Sequence, residues 1–235
     1  ASMYILEKDT SNTPIQFIKL NDIYEGKRYK AFVEAYDDLL TTRSNKHNIT
    51  LPQEKLKIIE GWPFIYWISD GFREKFKEKT ILDLLNPAQG AATTNNNKFL
   101  RLWWEVDNST ISIDYVEDNN RWVKYSKGGP YNKWYGNLWA VVDWGNNGGA
   151  LIKDGAVLRN SNFYFEEGIT YSASGSKGAT YRYMPKNCIF DTGGSCIFLD
   201  KDFKNLNYVL AFLNSNLSSY IISCLNPTVN TQVGD

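Results

Sequence analysis

Apolar and polar positions divide the chain into a helical first part and a strand-rich second part. Helical spacing dominates residues 24–43, "YEGKRYKAFVEAYDDLLTTR", and predicts an amphipathic helix that ends near Arg43. Its apolar positions are Tyr29, Phe32, Val33, Tyr36, Leu39 and Leu40. Shorter helices are predicted in "LPQEKLKIIEG", with Pro52 in the first turn, and in "FREKFKEK". Two short strands are predicted within residues 4–20, around a Ser-Asn-Thr-Pro turn.

From about residue 86 the pattern changes to strand-like runs separated by clusters of Gly and Asn, namely "FLRLWWEV", "LWAVVDW", "GALIK" and "CIFDTGGSCIFLD". A final apolar stripe in "NLNYVLAFLNSNLSSYIISCL" predicts one long helix. We therefore predict an α+β fold, a curved, mostly antiparallel sheet with flanking helices and no Rossmann core. The expected division is a connecting, helical segment over residues 1–85 and a β-rich domain over residues 86–235 that ends in the helix.

Composition predicts where the protein acts and the state of its cysteines. The chain has 235 residues, of which 43% are hydrophobic, as in ordinary globular proteins. Because no apolar run approaches the roughly 18 residues of a membrane-spanning helix and the start lacks a signal peptide, the sequence predicts a soluble, cytoplasmic protein without a membrane partner. The three cysteines show no CxxC spacing. They are predicted to be buried free thiols rather than a disulfide framework or a metal site.

Charge is balanced overall, with 26 Lys and Arg against 26 Asp and Glu, but it is segregated locally. Residues 121–153 contain one acid, Asp143, and five basic residues: Arg121, Lys124, Lys127, Lys133 and Lys153. The preceding residues 105–118 are acidic. A basic segment of this kind is compatible with a local nucleic-acid surface, although zero net charge argues against a whole-protein one.

Candidate catalytic patterns are weak. The only histidine, His47, lies in a polar stretch, so mechanisms that need a histidine base depend on one loop residue. The Gly-rich stretches "GNNGG" and "SASGSKG" match neither a phosphate-binding loop nor a dinucleotide motif. The aromatic and Asn-rich second half leaves three interpretations open: a packed core, a sugar platform or a surface that holds nucleic acid.

Six ordered blocks resemble one known family. They are "GWPFIYWIS", "TTNNNKFLRLWWEV", "RWVKYSKGGPYNKWYGNLWAVVDWGNNG", "RNSNFYFEEGITYS", "FDTGGSCIF" and "FLNSNLSSYIISCLNPTVNTQVGD". Together they are similar to the adenine-N6 DNA methyltransferases of the BREX phage-defence type (PglX-like) and to related single-chain type II restriction-modification enzymes. Two positions depart from the family pattern. Thr94-Asn95 stands where the family has Gly-Asp, and Tyr171 stands where Trp is usual.

The resemblance also shows what this chain lacks. Family members hold the flipped adenine with an (N/D)PP(Y/F) motif and bind S-adenosylmethionine with a Gly-rich motif upstream. "NPA" at Asn86 and "NPT" at Asn226 lack the second proline and the aromatic residue, and no cofactor loop is present. The resemblance therefore implies that the methyltransferase core lies before residue 1. This fragment is expected to be its non-catalytic target recognition region, without a cofactor or metal of its own, while the parent enzyme uses S-adenosylmethionine.

The implied partners are double-stranded DNA and the N-terminal methyltransferase domain of the same parent chain. Residues expected to contact phosphates are Lys124, Lys127, Lys133, Lys153 and Arg159. Loop residues expected to contact or position bases are Thr93, Asn95, Asn96, Asn146, Asn147, Ser174, Ser176 and Lys177, and Arg101 on the adjoining strand completes the predicted DNA-binding set. By the same resemblance, Trp122, Trp134, Tyr135 and Trp144 are expected chiefly to pack a sheet.

Three alternatives remain at this point. A carbohydrate-binding module fits the aromatic, Asn- and Gly-rich composition, and it requires exposed tryptophans. An independent enzyme with a dispersed active site requires methyl transfer by this chain alone. A protein-interaction domain of a defence complex fits the acidic run between Glu105 and Asp118.

Overall fold

The computed structural model describes residues 13–61, 63–78, 81–113, 120–173 and 180–226. The chain forms two compact units, residues 1–80 and 81–235, which we call the N-terminal and C-terminal units. Helices and mainly antiparallel sheets occur together in the structure, which confirms the predicted α+β class.

In its described residues the N-terminal unit consists of a two-stranded antiparallel sheet with three helices. Strand β1 (Ile15–Ile18) pairs with β2 (Asn48–Leu51), and the long helix α1 (Glu25–Leu40) connects them. Two short helices follow, α2 (Gln53–Leu56) and α3 (Asp70–Glu74), and a 3-10 turn over Lys75–Lys77 extends α3. The three predicted helices and the second predicted strand are thus confirmed. The first predicted strand lies outside the described residues.

Helix α1 places its apolar stripe differently from a typical surface helix. Ala35 is its one buried residue, whereas Tyr29, Val33, Tyr36 and Leu40 are all exposed. The spacing predicted the helix correctly, but it did not predict which side would be buried.

The C-terminal unit contains two four-stranded sheets. The first has the order β3-β10-β7-β8 and is antiparallel throughout; its strands are β3 (Leu85–Ala88), β7 (Gly168–Tyr171), β8 (Tyr181–Met184) and β10 (Cys196–Leu199). The second has the order β4-β6-β5-β9; its strands are β4 (Leu100–Leu102), β5 (Trp122–Ser126), β6 (Ala140–Asp143) and β9 (Cys188–Phe190). Its outermost pair, β5 with β9, is parallel.

Among the described residues of this unit the helices are α4 (Asn96–Phe99), α5 (Gly145–Lys153), α6 (Leu206–Leu213) and α7 (Asn216–Leu225). Short 3-10 turns cover Ile81–Leu84, Trp103–Glu105, Asn108–Thr110 and Ser161–Phe163. One buried cluster is aromatic, with the rings of Phe163 and Phe198 stacked 4.5 Å apart. A second cluster packs α6 against β7, β8 and β10. All three cysteines are buried and free, as predicted.

Two predicted elements of this unit are wrong. The run "GALIK" is part of helix α5 rather than a strand. The predicted final helix is instead two helices, bent by 65° relative to each other. The Asn214 side-chain amide ends α6 by forming two hydrogen bonds with the Tyr181 backbone. The Ser215 hydroxyl then caps α7 by accepting a hydrogen bond from the Ser218 amide. The strand in "FLRLWWEV" also ends early, at Leu102.

In the described part of the chain, no single helix is long and apolar enough to cross a membrane. The bent pair α6 and α7 reaches that length and composition only when the two helices are taken together.

Candidate nucleic-acid interface

Strand direction brings several predicted DNA-contacting loops to one edge of the C-terminal unit. Because β5 and β9 are parallel, the residues that follow both strands leave at the same edge. Strand β3 ends beside the start of β10, since Ala88 pairs with Cys196. We call the loops that meet here the loop edge, defined as residues 89–97, 127–139, 154–160 and 191–195. Backbone pairing connects them, from Ala91 to Asp191 and from Ala92 to Val157.

The centre of the loop edge is a contact between two Gly-Gly turns. A Cβ atom on Gly128 would collide with the Gly193 carbonyl group, and one on Gly194 would collide with the Lys127–Gly128 backbone. A side chain on Gly90 would likewise meet the Phe190 carbonyl oxygen. Glycine is therefore required because backbone meets backbone, and the turns of "SKGGP" and "DTGGS" fix each other's position.

Charged and hydroxyl groups surround this contact. Lys127 Nζ lies 3.1 Å from Asp191 Oδ2, and both side chains are half-buried. The buried Tyr125 hydroxyl donates to the Ala91 carbonyl oxygen at 3.1 Å. Burial, followed by the charge of Asp191, raises the pKa of Tyr125 well above its ordinary value, so this phenol stays protonated. Lys127 therefore presents a charge that is already partly neutralised.

Arg159 lies at the loop edge as well. It is exposed, and its Nη1 donates to Thr192 Oγ1 at 3.4 Å. Its neighbour Asn160 donates to the Gln89 carbonyl oxygen at 2.9 Å. Arg159, a predicted phosphate contact, is thus connected to Lys127 through the "DTGG" turn, in which Thr192 contacts Arg159 and Asp191 pairs with Lys127.

The Asn- and Thr-rich loop is organised by its own side chains. Thr93 is buried and its hydroxyl donates to Asn96 Oδ1. Asn95 caps helix α4 by accepting the Lys98 amide at 3.1 Å. Thr94, where the resembled family has Gly, has a φ of 48°, in the left-handed region. Asn95 and Asn96 remain exposed, whereas Thr93 acts within the loop.

Arg101 and Lys124 form a basic pair on the second sheet. Arg101 on β4 and Lys124 on β5 both pair with Val141 of β6, which lies between these two strands. Their side chains therefore lie on the same face of the sheet, and their backbones are about 10 Å apart. Both are half-buried, and within the described residues neither forms an ion pair. Arg101 donates to the carbonyl oxygens of Asn97 and Leu100, at 2.8 and 2.6 Å.

The remaining predicted contacts differ in position, since Lys133 belongs to the loop edge whereas Lys153, Asn146 and Asn147 do not. Lys133 donates to the carbonyl oxygen of Asn214 at 3.0 Å, where it caps the C-terminus of α6. Lys153 is exposed in the last turn of α5. Asn146 and Asn147 follow β6, whose end pairs with the start of β5, so they lie at the edge opposite Lys127. Ser174, Ser176 and Lys177 lie outside the described residues, although Ser172 and Thr180 on either side are described.

The expected packing role of the aromatic residues needs correction. Trp144 is buried, and its ring packs edge-on against Tyr164, as expected. Trp134 and Tyr135, however, are 52% and 63% exposed. Trp134 has a φ of 74°. Its backbone, and not its ring, is fixed in place by hydrogen bonds with the backbone of Tyr181 and Tyr183. This exposure could not be predicted, since the stretch has no alternation of apolar and polar positions.

The sequence reasoning also missed Asp191, Thr192 and Tyr125, which hold the loop edge together, and the buried Arg182. The first two lie in the quoted block "FDTGGSCIF", which is the only signal that pointed to them. Cys188 offers no nucleophile, because burial raises its pKa to about 12. Among the described residues, no group of His, Cys, Asp or Glu side chains is placed to hold a metal ion.

Sequence comparison relates the chain to one class of protein, the adenine-specific methyltransferases. One relative is the adenine-specific methyltransferase PglX of Lacticaseibacillus casei (strain Zhang), 36% identical over an alignment of 196 residues, which covers 77% of this chain and 16% of that protein. Another is the adenine-specific methyltransferase BrxX of Escherichia coli O9:H4 (strain HS), 36% identical over 199 residues, with 83% of this chain and 16% of that protein covered. The chain is thus homologous to a segment of much longer enzymes. No protein-family model matches it.

Proposed function

We propose that the chain is the DNA target recognition region of an adenine-specific DNA methyltransferase in a phage-defence or restriction-modification system. In this proposal the catalytic domain that binds S-adenosylmethionine is a separate, N-terminal part of the parent protein, which acts in the cytoplasm. The chain itself holds the duplex, while the catalytic domain flips and methylates the adenine.

The loop edge is the observation that carries the proposal. It joins Lys127, Arg159 and the exposed amides Asn95 and Asn96 on a rigid base of paired backbone. Binding residues are commonly presented on loops that a rigid scaffold positions. Cationic and amide side chains are the groups that contact phosphates and base edges. The reaction in this proposal, methylation of adenine, is taken from the names of the two relatives. The loop edge is the surface that we propose for the DNA substrate.

Charge reversal in the full-length protein tests the proposal. Replacing Lys124 and Lys127 together with Glu is expected to abolish duplex binding, measured by fluorescence anisotropy at low salt, because phosphate contacts dominate affinity there. A matched control reverses Lys201 and Lys204, two exposed lysines that follow β10 at the end of its sheet away from the loop edge. Unchanged affinity in the Lys124→Glu, Lys127→Glu variant would overturn the proposal.

The exposed tryptophans provide a second readout and a test of the carbohydrate alternative. Trp103, Trp104 and Trp134 are each about half exposed, so a ligand bound nearby should change their fluorescence. We expect quenching by duplex DNA and none by soluble glycans. Quenching by glycans without a response to DNA would reverse the assignment.

A further inference from the structure

Arg182, in the middle of β8, is buried without a countercharge. Its exposure is 0%, and among the described residues it forms no ion pair with a carboxylate. Its Nη1 donates to the carbonyl and hydroxyl oxygens of Thr180 at 3.4 and 3.3 Å, while its Nε has no partner. Burial lowers the pKa of Arg182 to about 10, so the guanidinium is still charged at neutral pH.

One relay of hydrogen bonds connects this charge to the loop edge. Arg182 Nη2 donates to Ser172 Oγ at 3.3 Å. The same hydroxyl accepts the Gly129 amide at 3.2 Å and donates to the Gly129 carbonyl oxygen at 3.2 Å. Gly129 is itself exposed, in the turn that packs against Gly193 and Gly194. A single hydroxyl group, that of Ser172, therefore links the buried arginine to the exposed Gly128–Gly129 turn.

An unpaired buried charge opposes folding, because removing an ion from water is unfavourable unless a counterion offsets the lost hydration. Lys127, the nearest cation of the same turn, already has its acid in Asp191. Arg182 has no such partner among the described residues, so the turn and the arginine behind it together carry excess positive charge. A ligand that supplies a fixed negative charge at the surface of this turn would complete the site, and a DNA backbone phosphate is such a ligand, whereas base edges are neutral.

We infer that Arg182 is a positioning residue of the DNA interface, which holds the Gly128–Gly129 turn through Ser172 and supplies the positive charge that a backbone phosphate at this turn neutralises. The inference rests on the proposed function, and it adds one specific phosphate site to it. Arg182 acts through Ser172 and is not expected to touch the DNA.

The experiment measures duplex affinity of the full-length protein over a series of salt concentrations for Arg182→Met, Arg182→Lys and Ser172→Ala. We expect Arg182→Met to bind on the order of tenfold more weakly at low salt, with a shallower salt dependence, because a phosphate at the turn loses a positive charge that neutralises it. Arg182→Lys keeps the charge and should retain the slope. Ser172→Ala should weaken binding and leave the slope unchanged, because the charge remains while the link to the turn is lost.

Arg73→Met is the matched control. Arg73 is also a buried arginine with unpaired guanidinium nitrogens, but its hydrogen bond is to the Lys55 carbonyl oxygen of the N-terminal unit, so its slope should equal that of the wild type. Thermal unfolding without DNA separates the two roles of Arg182. A merely structural arginine would lower the melting temperature when replaced and leave the salt slope alone, whereas we expect Arg182→Met to melt no lower than the wild type.

Each result decides between the proposals. If the wild type binds duplex DNA and Arg182→Met has the wild-type slope, the inference is overturned while the proposed function stands. If the wild type does not bind, the proposed function fails and the inference fails with it. Should Arg182→Met not fold, wild-type affinity in Ser172→Ala would overturn the inference by itself.

Discussion

Two Gly-rich turns of the C-terminal unit look alike in the sequence and differ in the structure. The turn in "SKGGP" lies at the loop edge, where Gly128 packs on the Gly193–Gly194 backbone and Lys127 pairs with Asp191. The turn in "WGNNGG" lies at the opposite edge and opens α5 with three successive left-handed residues, Asn146, Asn147 and Gly148. The first is fixed by another loop, whereas the second is fixed by its own backbone around the Trp144 ring.

This difference separates two uses of glycine. At Gly128 the residue is needed because a Cβ atom would collide with the Gly193 backbone, and at Gly148 it is needed because the backbone turns to the left and a Cβ atom would meet the Trp144 ring. Only the first use joins distant parts of the chain, so only the first can hold a binding surface in place. The comparison therefore favours the loop edge, rather than the Asn146–Asn147 turn, as the rigid part of the proposed interface.

The largest expected effect is the loss of stability on Gly128→Ala. The new Cβ atom meets the backbone of Gly193, which cannot rotate away, so we expect a loss of about 3 kcal/mol in the free energy of unfolding, measured by urea denaturation. Gly149→Ala is the control in the other turn, where the Cβ atom would meet only Asn146 Nδ2, at 3.3 Å. A small change in both variants would contradict the distinction between the two turns.

A pH effect of intermediate size is expected at Cys188, in the strand that leads to Asp191. Burial raises the pKa of this thiol from 9.0 to about 12 in the folded protein. The unfolded chain therefore loses its proton first, and this site makes stability fall as pH rises from 9 towards 12. At pH 10 the loss is about 1.4 kcal/mol. Cys188→Val should remove that part of the alkaline decline, as measured by denaturation at pH 8 and pH 10.

If Cys188→Val and the wild type lose the same free energy of unfolding between these two pH values, the thiol is not held protonated. Such a result would place water or a cation beside β9 and weaken the description of the loop edge as rigid.

A gain of about 1 kcal/mol is expected for Thr94→Gly. Thr94 has a φ of 48°, a conformation that costs a side-chain-bearing residue about 1–2 kcal/mol, partly offset by the greater chain entropy of glycine in the unfolded state. The midpoint of thermal unfolding should rise. Asn97→Gly, at an ordinary helical position of the same loop, should lower it. A fall for Thr94→Gly would show that this loop is held in another conformation.

The smallest effect concerns Asp191→Asn, which removes the carboxylate beside Lys127. Stability should fall by no more than about 1 kcal/mol, since the ion pair is partly exposed to solvent. Duplex affinity should rise a few-fold, with a steeper salt dependence, because Lys127 becomes available to a phosphate. An affinity that falls together with stability would indicate that Asp191 serves the interface by holding the turn.

Much of the fold could be predicted from local patterns. Helix α1 and strands β6, β9 and β10 follow from residue spacing, and the buried free cysteines follow from the lack of metal or disulfide spacing. The resemblance to adenine-specific methyltransferases rested on ordered blocks, and the two relatives confirm it at the level of homology. The recognition role remains a prediction, as does each proposed DNA contact.

The failures share a physical cause. The segment "GALIK" has the composition of a strand, yet it joins a helix because the left-handed turn before it redirects the chain. The last apolar stripe continues through Asn214, but the side-chain amide of Asn214 forms hydrogen bonds with Tyr181 of β8, and the helix is divided there. Trp134 was expected to pack, but its exposure follows from a backbone pairing with β8. In each case a backbone conformation or a contact that the apolar pattern does not show overrode the local preference.

The sequence by itself therefore determined the class of fold, most of the elements and the kind of protein to which the chain is related, because these depend on local periodicity and on ordered motifs. Tertiary structure alone decided that Lys127, Arg159 and the Asn-rich loop share an edge, that Asn146 and Asn147 do not, and that Arg182 is buried behind Gly129. The physical reason is that these relations depend on strand order and direction, and on close backbone contacts between segments far apart in the chain.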